Sequence, residues 1–270
     1  MTCFFGILFR VIGDRRLTPV LFALAIGIGV ICAHTATFAG ELHDAVRAGD
    51  KAAVESLLVG GADVDENDYI LGTALHIAVS QGNVDIAKIL IDQGADLEAA
   101  SEQQGARALH LAAAFNEIVM LALLLDSGAD TESRDDDQRT SLFRAAIAGH
   151  TEAVRLLLDR GAELEARDGI RARTPFMMAS YFGRLNIAEL LIDRGADINA
   201  TDTHGESALS FAVGITSFYN AGGPALIEYL VANGADLNVK NNAGLTPLAY
   251  AKRRGPKETP GVLRRLGATE

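Results

Sequence analysis

The sequence predicts an all-α solenoid of about seven stacked helix-turn-helix units joined by finger-like β-turn loops, with a leader of different character in front. Two recurring markers and one periodicity carry that expectation. A Gly-Ala-acidic turn, or a near relative, begins at Gly61, Gly94, Gly128, Gly161, Gly195, Gly234 and Gly267, at intervals of 33, 34, 33, 34, 39 and 33 residues. A second marker keeps step with it: Thr73-Ala-Leu-His, Arg107-Ala-Leu-His, Thr140-Ser-Leu-Phe, Thr174-Pro-Phe-Met, Ser207-Ala-Leu-Ser and Thr246-Pro-Leu-Ala. Between the markers, apolar residues fall at helical spacing in two short blocks.

The second unit shows the local logic. Leu75, Ile77, Ala78 and Val79 supply the apolar positions of a short first helix, and Gly82-Asn83 ends it. Val84, Ile86, Ala87, Ile89, Leu90 and Ile91 then predict a second, more apolar helix. Gly94-Ala95-Asp96 closes that helix and starts an extended finger. Neither helix can bury its apolar face alone, so neighbouring units must bury it jointly.

A period near 33 with a Thr-Pro-Leu-His-like signature resembles the ankyrin repeat. The resemblance covers residues 41–270, in units of about 41–72, 73–105, 106–139, 140–172, 173–206, 207–245 and 246–270. The first unit lacks the finger marker and carries Asp44, Arg47, Asp50, Lys51 and Glu55, which suits a polar outer cap. In the last unit, Pro256 and Pro260-Gly261 leave room only for a short helix around Val262 to Leu266.

Composition agrees with thin layers rather than one thick core: aromatics are 6%, Trp is absent, and 27 residues are Gly. Net charge is −11, and because the first 39 residues hold three Arg against one Asp, the remainder holds −13. An acidic body of this kind disfavours nucleic acid and anionic lipid as partners.

Residues 1–39 read as a signal peptide or signal anchor. Arg10, Arg15 and Arg16 precede an apolar run from Leu17 to Ala33, and small residues follow up to Ala39-Gly40. The preferred reading is cleavage after Ala39, placing the body outside the cytoplasm, most simply in a periplasm. The alternative is an uncleaved anchor, for which the run is short. Both cysteines, Cys3 and Cys32, lie in this leader, so a cleaved chain has neither a disulfide nor a Cys-based metal site.

Departures from the family pattern are few. The interval of 39 places an insertion at about Thr216 to Ala221, between the two helices of the sixth unit, and it carries Phe218 and Tyr219. Either these aromatics contact a partner or they fold back on the unit. Asn116 stands where a turn glycine is usual, and Gln138 stands where Gly105, Gly205 and Gly244 sit in other fingers. Single-residue insertions lengthen the fingers before Arg107 and Thr174.

No catalytic constellation emerges, and no cofactor or metal is expected. His43, His76 and His110 recur one unit apart and cannot converge on one ion. The resemblance implies that this histidine bonds at the start of the helix and supports the stack. His150 and His204 stand alone. Asp135-Asp136-Asp137 lacks the closing Glu of a calcium loop and reads as a solvated finger tip. Asn199-Ala-Thr201 is a glycosylation sequon that coincides with the finger pattern and matters only in a eukaryotic secretory pathway.

The resemblance implies binding of another protein, by a monomer, through finger tips and the groove-facing ends of the first helices. Groove candidates are Phe115, Ile147, Tyr181 and Phe182, with Phe182 expected to pack partly against a neighbour. Finger candidates are Tyr69, Arg139, Arg171 and Arg173, alongside Gln103, Asp136, His204 and Glu206. Aromatic and Arg side chains on a polar face are the usual interface anchors. The expected role is a non-catalytic scaffold, or a stoichiometric protector or inhibitor of an exported partner. The alternatives are a membrane-tethered adaptor and a secreted effector that binds host proteins.

Overall fold

A computed structural model describes residues 40–102, 104–214 and 223–269. The leader, Gln103, and the inserted segment with Phe218 and Tyr219 lie outside the described residues. Fourteen helices form seven hairpins among them. The pairs are α1 (Glu41–Ala48) and α2 (Lys51–Val59), α3 (Ala74–Ser80) and α4 (Val84–Asp92), α5 (Ala108–Phe115) and α6 (Ile118–Asp126), and α7 (Ser141–Ala148) and α8 (Thr151–Asp159). They continue as α9 (Pro175–Tyr181) and α10 (Leu185–Asp193), α11 (Ala208–Gly214) and α12 (Gly223–Ala232), and α13 (Pro247–Arg254) and α14 (Thr259–Arg265). Six fingers connect successive pairs. They are too short to form strands, and two carry a single antiparallel bridge, Asp68 to Gly72 and Thr201 to Ser207.

The second marker begins each first helix for a chemical reason. Thr140, Thr174 and Thr246 accept the backbone N–H three residues on, at 3.4, 3.3 and 3.2 Å, which caps α7, α9 and α13. Pro175 and Pro247 then occupy the first turn, where a missing N–H costs nothing. Buried alanines on the odd-numbered helices, including Ala78, Ala112, Ala145, Ala179 and Ala212, let these helices approach closely. The even-numbered helices carry larger residues inward, such as Leu90, Leu124, Leu157, Leu191 and Leu230. Close contact on one side and wider spacing on the other curve the stack, with first helices and fingers on the inner face.

Histidine ties the first three units together. His76 Nδ1 accepts from the Thr73 N–H at 3.2 Å, which leaves Nε2 as the donor to the Ala106 carbonyl of the next finger at 2.9 Å. His110 repeats this with Arg107 N–H and the Arg139 carbonyl, at 3.1 and 3.0 Å, and His43 reaches the Gly72 carbonyl at 3.2 Å. From unit four onward Phe143, Met177 and Ser210 occupy that place. His150 is not alone after all, since its Nε2 lies 3.0 Å from the Ala114 carbonyl of the preceding unit.

A second tie joins the Gly-Ala-acidic turns. The side chains of Asp65, Glu98, Glu132, Glu165, Asn199 and Asn238 each accept the N–H of the acidic-position residue one unit later. Asn199 is engaged at both ends: Oδ1 accepts from Asp236 N–H at 2.9 Å, and Nδ2 donates to the Gly234 carbonyl at 3.0 Å.

The backbone confirms two substitutions for glycine and adds a third. Asn116 and Gln138 hold φ of 60° and 59°, and so does Ala172, at 54°, in a lengthened finger. At the far end, helix α14 starts at Thr259 rather than near Val262, because Pro260 falls in its first turn and breaks no hydrogen bond.

Two predictions follow from these positions. Burial holds the His110 imidazole at a pKa of about 4, and the nearby Arg144 adds to the depression. The unfolded chain therefore takes up a proton near pH 6.5 while the folded chain does not, so stability is full above that pH and falls as pH drops toward 4. The loss approaches about 3 kcal/mol for this residue. Urea titrations between pH 7 and 4.5 should show the decline, and His110→Gln should flatten it, leaving the smaller slope due to the likewise depressed His76. Ala172→Gly should relieve left-handed strain and stabilise the fold by about 1 kcal/mol, read as a rise in the urea midpoint.

Candidate protein-binding surface

The inner face is built from the last turn of each first helix and from the fingers above it. Phe115 ends α5, where the left-handed Asn116 turns the chain away, and it is 49% exposed. Ile147 lies one residue before the end of α7 and is half-buried. Tyr181 ends α9 at 38% exposure. Ile147 and Tyr181 sit at matching places in successive units, two residues before the left-handed Gly149 and Gly183, while Phe115 stands one position later in its own unit, directly before Asn116.

Around Tyr181 the structure gathers a cluster. The Tyr181 ring meets Phe182 edge-on at 5.0 Å and Phe211 of the next unit edge-on at 5.9 Å. The Arg171 guanidinium stands 5.7 Å from the Phe211 centroid and pairs with Asp202 at 2.6 Å. Phe211 was missed in the sequence. The available signal was its register, since it stands two residues after Leu209 as Ile77 stands two after Leu75, on the side of the helix that lies under the fingers. Phe182 packs within this cluster and is half-buried.

The finger arginines have different fates. Each finger closes on one acidic or polar side chain; Asp168 Oδ1, for example, accepts from the Arg171 and Arg173 N–H groups at 3.1 and 2.9 Å. Arg173 then returns its guanidinium to Asp168 Oδ2 at 2.5 Å, with little of either side chain exposed. Burial opposes ionisation of Asp168, but the hydrogen bonds from Arg173 and Arg171 outweigh it and hold the carboxyl below its usual range. Arg173 is thus a closing residue of its own finger rather than an open anchor. Arg139 pairs with Asp137 at 2.8 Å and covers the Phe143 ring at 5.7 Å.

The acidic finger also departs from the expectation. Asp136 and Asp137 are exposed, but Asp135 is buried, accepting Arg139 N–H at 2.8 Å and pairing with Arg144 at 2.6 Å. Arg144 is nine residues away, on α7, so proximity along the chain could not show the pair. The first finger is the apolar one: Tyr69, Ile70 and Leu71 are 69%, 63% and 39% exposed, above Asp68, which accepts two of their N–H groups. Farther along, Arg171, His204, Glu206 and Asn242 line a shallow hollow between the finger tips.

Curved stacks of helical hairpins with an aromatic inner face form a class of repeat proteins that hold other proteins. The comparisons agree. The family model "Ankyrin repeats (3 copies)" matches residues 42–135 and 120–202, and the model "Ankyrin repeat" matches 204–242. The chain belongs to the ankyrin repeat family. Mouse "Protein phosphatase 1 regulatory subunit 27" is 46% identical over 61 residues, which is 23% of this chain and 40% of that protein. The chain thus spans about two fifths of that curated relative's length. Among solved structures, the ankyrin repeat domain of Bcl-3, described as a unique member of the IkappaB protein family, is 33% identical. It covers 84% of this chain and 98% of its own at a TM-score of 0.71. The human ASB11 ankyrin repeat domain, 22% identical, covers 86% and 100% at 0.72 and speaks to the fold alone. Ankyrin repeats imply a protein–protein interaction module.

Removing the Arg173 guanidinium strands a buried carboxylate, so Arg173→Ala should destabilise the protein by about 3 kcal/mol. Chemical denaturation measures that loss; Arg155→Ala, on the exposed face of α8, should change stability by less than about 0.5 kcal/mol.

Proposed function

We propose that this protein binds another protein non-catalytically along the Phe115–Ile147–Tyr181 face, and that it does so outside the cytoplasm. The observation that carries the reading is the exposure of Phe115 and Tyr181 in the last turns of the first helices α5 and α9. Aromatic side chains left open in this way are the common anchors of an interface, and surrounding polar residues exclude water from them. Ion pairing within the fingers leaves Arg139 and Arg171 as rim contacts that set register more than affinity.

The export half of the proposal is supported by the leader, whose basic flank, apolar run and small-residue exit match a signal peptide. A stoichiometric scaffold, protector or inhibitor of an exported partner fits both halves. Retention of the Leu17–Ala33 run as an anchor would make it a tethered adaptor instead, and a secreted effector on host proteins uses the same face. Mass spectrometry of the amino terminus separates these: a chain beginning at Gly40 removes the tether.

The binding half is tested once a partner is captured with residues 40–270 and purified. Phe115→Ser and Tyr181→Ser should each weaken affinity at least tenfold, about 1.4 kcal/mol. Val119→Ser, an exposed apolar residue on the outer helix α6, should leave it unchanged. Equal affinity in all three variants would remove the inner face from consideration.

A further inference from the structure

We infer that Arg107, Arg134 and Arg167 are positioning residues that bolt the central fingers into one pre-formed surface. Each uses a single guanidinium nitrogen, Nη1, to reach two backbone carbonyls, one in or beside its own unit's finger and one at the base of the next finger. Arg107 donates to the Gly105 and Arg134 carbonyls. Arg134 donates to Gln138 at 3.1 Å and to Arg167 at 2.8 Å. Arg167 donates to Ala172 at 2.7 Å and to Thr201 at 3.0 Å. The far acceptors, Arg134, Arg167 and Thr201, share one position, immediately before the residue that closes the finger.

A second row of bonds crosses the tips, from backbone to backbone. Asp136 N–H donates to the Gln104 carbonyl at 3.0 Å, Gly169 N–H to Asp137 at 2.8 Å, and Thr203 N–H to Arg171 at 2.9 Å. Each neighbouring pair of fingers in this stretch is therefore held at base and tip. A hairpin fixed at one end can rock; one fixed at both ends cannot rock without its neighbour. The guanidinium suits the base position because it is permanently charged, planar and rich in donors, and charge-assisted hydrogen bonds are the stronger kind.

The fingers then open as a group or not at all, and a partner meets a surface that is already ordered. Less conformational freedom is lost on association with such a surface. Its use as a binding face rests on the function proposed above; its cooperative stiffness does not, and is measured on the protein by itself.

The test is residue-resolved amide hydrogen exchange on the protein and on Arg134→Met and Arg134→Lys. In Arg134→Met, the amides of Asp136 and Gly169 should exchange roughly tenfold faster or more, while those of Leu124 and Leu157 inside helices stay within about twofold. Arg134→Lys, which keeps the charge but ends one bond short of the Nη1 position, should behave like Arg134→Met. Three outcomes would overturn the inference. They are unchanged finger exchange, equal acceleration in fingers and helices, and full protection in the lysine variant.

Discussion

No hairpin in this protein can hide its own apolar residues, and every other feature depends on that constraint. A seven- to ten-residue helix is too short to be stable in water by itself. Its apolar side chains come under cover only when the next pair closes over them, so each unit is at once core and lid for its neighbours. Alanine on the first helices sets how closely the layers meet, and leucine on the second helices sets how far they splay. The curvature of the inner face is the geometric remainder of that difference.

Polar ties hold this apolar stack in register, and their chemistry changes along it. The first three units use histidines that reach across to a carbonyl of the next finger. The middle units use carboxylates and arginines instead, with Asp135 held by Arg144 and Asp168 by Arg173. The two devices answer acid differently. The His76 and His110 ties weaken as pH falls below the pKa of a free imidazole, whereas Asp168 keeps its charge to a lower pH than a free carboxyl.

Much of this was legible in the sequence because a repeated pattern supplies its own alignment. Marker spacing located the helices, the glycine register picked out Asn116 and Gln138 as standing in glycine positions, and the family signature gave the histidine its structural part. What failed did so for one physical reason. Asp135 looked like part of a solvated run because its chain neighbours are charged, but its environment is set by Arg144 on a helix. Arg173 looked like an open anchor because a finger is exposed on average, but the buried Asp168 beneath it takes its guanidinium. Phe211 escaped notice because its neighbours in the cluster, Arg171 and Tyr181, belong to other elements. The same gap hid the double reach of Arg134 and Arg167, since a carbonyl acceptor leaves no mark on residue identity.

The Asn199 amide has a consequence of a different kind, one of timing. Oδ1 and Nδ2 both bond to the turn of the following unit, at Asp236 and Gly234. In a secretory pathway that attaches glycans to Asn-x-Thr sequences, transfer to Asn199 would place a sugar where that turn must settle. Folding of the last two units and attachment of the sugar are then rival fates for one nitrogen, decided by which occurs first as the chain is made.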